Sequence, residues 1–245
     1  MRVPFVISIL VLTGCGVPSV YGKKPKSSPA DDAVVQLWVE SIRAHGESGD
    51  WILTRNYALV GDLIVALSFH EESLSHAAIY DKERDMVIEA TSPNVQAVSL
   101  ENFVRRYKRV ILARPNWLSH DQQVASMHRA RALVGEPYDW AGLVGIDDGG
   151  RYYCSEFVLV VADQEGVIDR PVWVTPAGLL DVAHVIFDGG VRDDARTKTL
   201  AMSRMRRRRA VSHRRTESPR RTVRPPTTIA GSATGHRSQL EPVWP

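Results

Sequence analysis

The chain has 245 residues, 44% of them apolar, and a formal net charge of +3. At roughly 100–200 residues per domain this allows one domain with extensions, and the apolar fraction excludes both a chain too polar to fold and one made for lipid throughout. The small net charge hides an asymmetry: Arg196 to Pro245 contains thirteen Lys/Arg against two Asp/Glu, +11, which leaves −8 for the rest (3 − 11). The body is acidic and the tail is basic, so this is not a basic protein as a whole.

Met1-Arg2 is followed by the apolar run VPFVISILVL and then by TGC. A positive charge before a short apolar run is the pattern of an export signal, and the run is shorter than the about 20 apolar residues that a bilayer span needs. Its end, Leu12-Thr13-Gly14-Cys15, resembles the bacterial lipobox. That resemblance implies a signal peptide over 1–15, diacylation of Cys15, and a polar tether over 16–30. The expected location is the cell envelope, on the periplasmic face of a bacterial membrane, the outer membrane in first expectation. An acylated Cys15 cannot pair with Cys154, so no disulfide forms and Cys154 is a free thiol.

The body, 31–194, is expected to form one domain. Asp32 to Ala44 has helical apolar spacing behind an acidic N-cap. Leu59–Leu67 reads as a strand. Ser75–Tyr80 and Asp85–Ala90 are strands joined by the turn DKER, and Val95–Val98 is a short fourth. Ser99–Tyr107 is a Ser-capped helix, Arg109–Pro115 a strand closed by proline, and Ser119–Gly135 a helix with a glycine stop. After a Gly/Asp/Tyr loop, a nearly all-apolar helix runs from Cys154 to Gly166. Strands grouped in the middle with helices on both sides predict an α+β fold, its central antiparallel sheet or small barrel packed against helices. From 195 to 245 the chain is rich in Arg, Pro, Ser and Thr, and reads as a basic, disordered tail. Deleting Met202–Pro245 is then expected to leave stability unchanged. The tail has almost no aromatic partners for nucleic-acid bases, so nucleic acid is not expected. Contact with an anionic membrane or polymer, or no specific role, are the two readings it allows.

Cys154 stands at the start of its helix, where unpaired N–H groups and the helix dipole lower a thiol pKa. Glu156 in the same turn would oppose ionisation if it pointed inward. A buried structural cysteine fits the residue equally well. A thiolate nucleophile needs a base, usually His, held by a third group. In a symmetric DKER hairpin the paired residue numbers sum to 165, which sets His76 opposite Glu89 on one sheet face. The other face carries Ala77, Ile79, Met86, Ile88 and Ala90, a coherent core side. An exposed His/Glu pair of minor stabilising value is the competing reading. The other histidines lie on polar helix faces, in loops or in the tail. No spacing suits zinc and no Gly-rich phosphate loop occurs, so neither metal nor cofactor is expected.

The segments GDLIVAL, SHAAIY, VIEAT, LENFVRRY…VILARP, GEPYDW and YYCSEFV, in this order between Leu59 and Val182, resemble the permuted papain-like amidases of the YiiX/YaeF type, in the NlpC-like cysteine peptidase superfamily. The resemblance implies a circularly permuted papain-like fold, with Cys154 as nucleophile, His76 as base and Glu89 as the orienting acid. It makes Glu156 part of the nucleophile segment, and it includes Tyr138 and Asp139 without giving them a role. The implied activity is hydrolysis of an amide, with cell-wall peptides or related amides as expected substrates. The same triad could serve an ester, thioester or lipid amide, as in the lecithin–retinol acyltransferase branch. A non-catalytic lipoprotein that binds peptide or lipid is the third possibility.

Overall fold

A computed structural model describes residues 28–57, 72–140, 142, 151–162 and 174–216. The chain divides into two units, Met1–Arg208 and Arg209–Pro245. Six strands, β1 (Trp51–Arg55), β2 (His76–Asp81), β3 (Met86–Thr91), β4 (Asn94–Ser99), β5 (Arg109–Pro115) and β6 (Ala183–Val191), form one open antiparallel sheet in the order β4-β3-β2-β1-β5-β6. The α+β expectation holds. The sheet is not closed, so of the two forms expected, the small barrel does not occur.

Helices cover both faces. Along β2 and β3, Ala77, Ile79, Ile88 and Ala90 point to one side, where they join Leu53, Ile111 and Ala113 in a core with Met127 and Ala130 of α3 (His120–Ala132) and Phe157, Val158 and Val161 of α4 (Cys154–Ala162). Ala78, Tyr80, Val87, Ile52 and Leu112 point to the other side. There they pack with Val34, Val35, Trp38, Val39 and Ile42 of α1 (Pro29–His45) and Leu100, Phe103 and Val104 of α2 (Leu100–Val104). The apolar residues of α1 recur at helical spacing, and the helix starts where the Ser28 hydroxyl accepts from Asp31 N–H, with proline in the first turn. At α3, Ser119 and Gln122 form a reciprocal capping box.

The sequence reading differs from the structure in three places, and a fourth expectation is not tested. Trp51–Arg55 is the strand between β2 and β5, buried on both faces, and so lacks the alternation that reveals strands. β6 was also unread, because Asp188, Gly189 and Gly190 interrupt its pattern. The expected strand Leu59–Leu67 lies outside the described residues. Lastly, where the tail was expected, α5 runs from Ala195 to Thr216. Ala201 is buried in the second core, Met202 and Met205 pack against it, and Lys198 pairs with Asp31 at 3.2 Å. This short apolar stripe suffices to seat the first turns of a helix whose average composition hides it. No helix among the described residues is long and apolar enough to cross a membrane.

Candidate active site

The first residue of α4 is Cys154, 3% exposed and not in a disulfide. The segment before it is held by the GEPYDW stretch. Tyr138 N–H donates to Pro93 O at 3.0 Å in the β3–β4 turn, Asp139 N–H donates to Tyr152 O at 3.1 Å, and Tyr138 and Tyr152 form a parallel bridge. The buried Asp139 carboxylate accepts from Gly142 N–H at 2.8 Å, and a Cβ on Gly142 would lie 2.4 Å from that carboxylate. Tyr138 and Asp139 thus tie the chain leading into Cys154 to the sheet. Tyr153 adds a second tie, its hydroxyl accepting from Val174 N–H at 3.1 Å. The Glu156 carboxylate turns back and accepts from Tyr153 N–H at 3.4 Å, the position of a capping residue in the first turn.

His76 opens β2. Its ring stacks on Tyr107 with centroids 5.6 Å apart and planes 15° apart, and Phe103 lies beyond at 6.2 Å. Nε2 is 2.8 Å from Glu89 Oε2, and the ring also hydrogen-bonds the Cys154 sulfur, for which Nδ1 is the nitrogen left. The structure therefore brings Cys154, His76 and Glu89 together, but not through the expected register. The hairpin pairs Ile79 with Ile88, Tyr80 with Val87 and Asp81 with Met86, a sum of 167 rather than 165. Asp85 takes a left-handed backbone, φ 53°, and Asp81 accepts from Arg84 N–H, so the turn occupies Lys82 to Asp85. A slip of two leaves every side chain on its face. Glu89 lies opposite Ala78 by this register and reaches His76 diagonally.

Glu89 is fully buried and accepts from four donors. His76 Nε2 and the Tyr107 hydroxyl (3.3 Å) reach Oε2, and Gln96 Nε2 (3.0 Å) and Arg106 Nη2 (2.6 Å) reach Oε1. Burial pushes its pKa up, but the bond to His76 and the charges of His76 and Arg106 outweigh this and hold it at about 2. For His76, burial opposes the charged ring. The hydrogen bonds and charges of Cys154 and Glu89 more than offset this and raise its pKa to about 9. Burial likewise pushes the Cys154 thiol up, and the His76 bond and charge, with the N–H groups of Ala77 and Ser155, bring it below its ordinary value. The three shifts together favour a thiolate–imidazolium pair braced by a carboxylate.

Gln96, Arg106 and Tyr107 were not found from sequence. Gln96 is the direct cross-strand partner of Glu89 and follows from the β3–β4 register, in which Thr91 pairs with Asn94. Arg106 and Tyr107 follow a helix of five residues, and no periodicity shows where they point. Cys15 lies outside the described residues. Among the described residues no group of three or more His, Cys, Asp or Glu is arranged to hold a metal ion.

An α+β fold in which His76 and Glu89 precede Cys154 in the chain has the order of a permuted papain-like enzyme. Residues 47–174, just over half of the chain, match the family described as "Permuted papain-like amidase enzyme, YaeF/YiiX, C92 family", and the chain belongs to that family. Membership makes it a hydrolase of the amidase/peptidase type. A solved structure, that of the metalloprotein yiiX from Escherichia coli O157:H7, is similar at 20% identity with a TM-score of 0.46, over 58% of this chain and 96% of that one. No curated protein matches the chain.

Proposed function

We propose that the protein is an exported, membrane-anchored cysteine amidase with Cys154 as nucleophile, His76 as acid and base, and Glu89 as the group that orients and charges His76. The observation that carries this reading is the double engagement of His76, bonded to the Cys154 sulfur on one side and to Glu89 at 2.8 Å on the other. The thiolate attacks the amide carbon, a C–S bond forms and the carbonyl electrons move to oxygen. The backbone N–H of Cys154, at the helix N-terminus, is the donor proposed for that oxyanion. As the C–N bond breaks, imidazolium gives its proton to the departing amine and a thioester remains. Neutral His76 then takes a proton from water, the hydroxyl adds to the thioester, and the thiolate leaves as the carboxylic acid forms. The substrates proposed are cell-wall peptides or related amides, reached by an enzyme held at the membrane through acylated Cys15.

Cys154→Ser tests the nucleophile. Turnover should vanish with the melting temperature unchanged, and in the parent protein iodoacetamide should titrate a thiol below the ordinary value of about 8.5. A thiol that stays unreactive in the folded protein sinks the enzyme reading. Cys15→Ser should abolish the membrane association that resists high salt, since acyl chains provide it. Product analysis on wall peptides beside acyl esters decides between an amide and an ester bond.

A further inference from the structure

Along α5, Lys198, Ala201, Met202, Met205 and Arg208 recur at three- and four-residue spacing and face the body. Lys198 pairs with Asp31 and Arg208 with Glu40, both on α1. A second set, Arg196, Leu200, Ser203, Arg204 and Arg207, recurs at the same spacing on another face. That face lines a groove of about 700 Å³ between α5, α1 and the edge strand β6. Leu37 and Phe187 make an apolar floor, joined by Leu200, which is 58% exposed. Among the described residues, Arg196, Arg204 and Arg207 have no carboxylate partner for their guanidinium groups. The acid that lines the groove, Asp188, is already engaged by Arg109 through both oxygens and by Gly190 N–H.

Three guanidinium groups with no carboxylate partner among the described residues, set over an apolar floor, call for a ligand that is anionic at one end and apolar at the other. We propose that this groove docks the body onto an anionic phospholipid surface, its arginines on lipid phosphates and Leu37, Phe187 and Leu200 against the glycerol and upper acyl chains. A hydrophilic polyanion would match the arginines but leave the apolar floor without use. Over residues 195–208 the helix has six Lys or Arg and no Asp or Glu, and basic residues beside an anionic leaflet each add about 1 kcal/mol of attraction. The contact does not depend on the Cys15 anchor or on the chemistry proposed for Cys154.

The test is flotation of the full chain carrying Cys15→Ser, with vesicles of phosphatidylcholine alone and of phosphatidylcholine and phosphatidylglycerol in equal parts. Binding should require phosphatidylglycerol and fall with added salt. Each of Arg196→Gln, Arg204→Gln and Arg207→Gln should lower it about fivefold, the factor that about 1 kcal/mol represents. Leu200→Ser should lower it as well, while binding of dextran sulfate, a polyanion with no apolar part, should not respond to Leu200→Ser. Unchanged melting temperatures and thiol alkylation rates would show that these surface variants are folded. Two outcomes overturn the proposal. One is vesicle binding unaffected by the triple arginine variant, which would assign any attraction to other basic residues. The other is a loss of vesicle binding on Leu200→Ser matched by an equal loss of dextran sulfate binding.

Discussion

Two buried carboxylates at different places in the sheet have nearly the same surroundings. Asp50, just before β1, accepts from Arg114 through both oxygens (2.7 and 2.8 Å), from Gln123 Nε2 (3.0 Å) and from Glu47 N–H (2.8 Å). Glu89, on β3, accepts from Arg106, Gln96, Tyr107 and His76. Both are fully buried and each has an arginine and a glutamine amide. They differ in the remaining partners, a backbone N–H at Asp50 and the Tyr107 hydroxyl and His76 at Glu89. Asp50 ends its network on a backbone N–H, which cannot titrate, whereas Glu89 ends on an imidazole that also touches a thiol. Burial with an arginine partner therefore marks structure as readily as function, and the titratable link onward to Cys154 is the part that distinguishes Glu89.

The largest expected effect lies on that link. Removing an acid–base group costs about 10²–10⁴-fold in rate, so His76→Ala should lower turnover by this order. Glu89→Gln, which keeps size and a hydrogen bond but loses charge, should lower it less. The double variant should be about as slow as His76→Ala alone, as for residues that act as one unit. Losses that simply multiply would mean the two work independently, and Glu156 or Asp62 would become the next candidate for the third group. Of these two, Glu156 is turned toward Tyr153 N–H, and Asp62 lies outside the described residues.

At the Asp50 network the expected effect is on stability instead. Asp50→Ala leaves Arg114 and Gln123 facing an uncompensated gap, and breaking one side of a buried pair costs about 3–5 kcal/mol. Because the Arg114 side chain is one-third exposed, its charge can turn to water, which places the loss at the low end of that range. Denaturant unfolding should show this, while the pH dependence of Cys154 alkylation should not move. A changed alkylation profile would end the contrast between the two carboxylates.

How far the site was legible follows from what each residue depends on. Cys154 was placed by a local signal, glycines before an apolar helical run. His76 and Glu89 were placed on one face by strand alternation, which survives a register error of two residues. The error came from the turn: the left-handed backbone at Asp85 depends on how that one residue closes the loop, and DKER alone does not reveal it. Gln96 needed the β3–β4 register, and Arg106 and Tyr107 needed tertiary structure. The same division holds for the fold. β2 to β5 were read from their apolar runs and the turns that bound them, whereas the five-residue β1 and β6, broken by two glycines, were not. The first turns of α5 were hidden inside a composition that reads as a tail.

A smaller effect separates the two carboxylates by pH. The pKa of Glu89 is lowered to about 2, so the stability it contributes is present above the ordinary carboxylate value and is lost as pH falls toward about 2. His76 is raised to about 9, so its contribution is present below the ordinary histidine value and is lost as pH rises through about 9. In Glu89→Gln the acid-side loss attributed to this carboxylate should disappear. The alkaline loss should also shift to lower pH, because imidazolium has lost its counter-charge. Melting temperatures taken across pH would check both, and an alkaline shift to higher pH would contradict the pairing.

The smallest effect comes from the two glutamines, and it has a sign. Gln96→Met and Gln123→Met each remove one neutral donor from a buried carboxylate at nearly constant volume, so each should cost about 1 kcal/mol of stability. Their consequences for the thiol should differ. Gln123 donates to Asp50 and has no titratable neighbour through it, so alkylation of Cys154 should be unchanged. Gln96 shares Glu89 with His76, and donors to one carboxylate compete for its charge. Without Gln96 more of that charge is left for imidazolium, and the alkaline limb of Cys154 reactivity should move slightly upward, opposite to the change in Glu89→Gln. If Gln96→Met moved the limb downward, Gln96 would be acting by holding Glu89 in place rather than by sharing its charge, and the electrostatic account of the pair would fail at that residue.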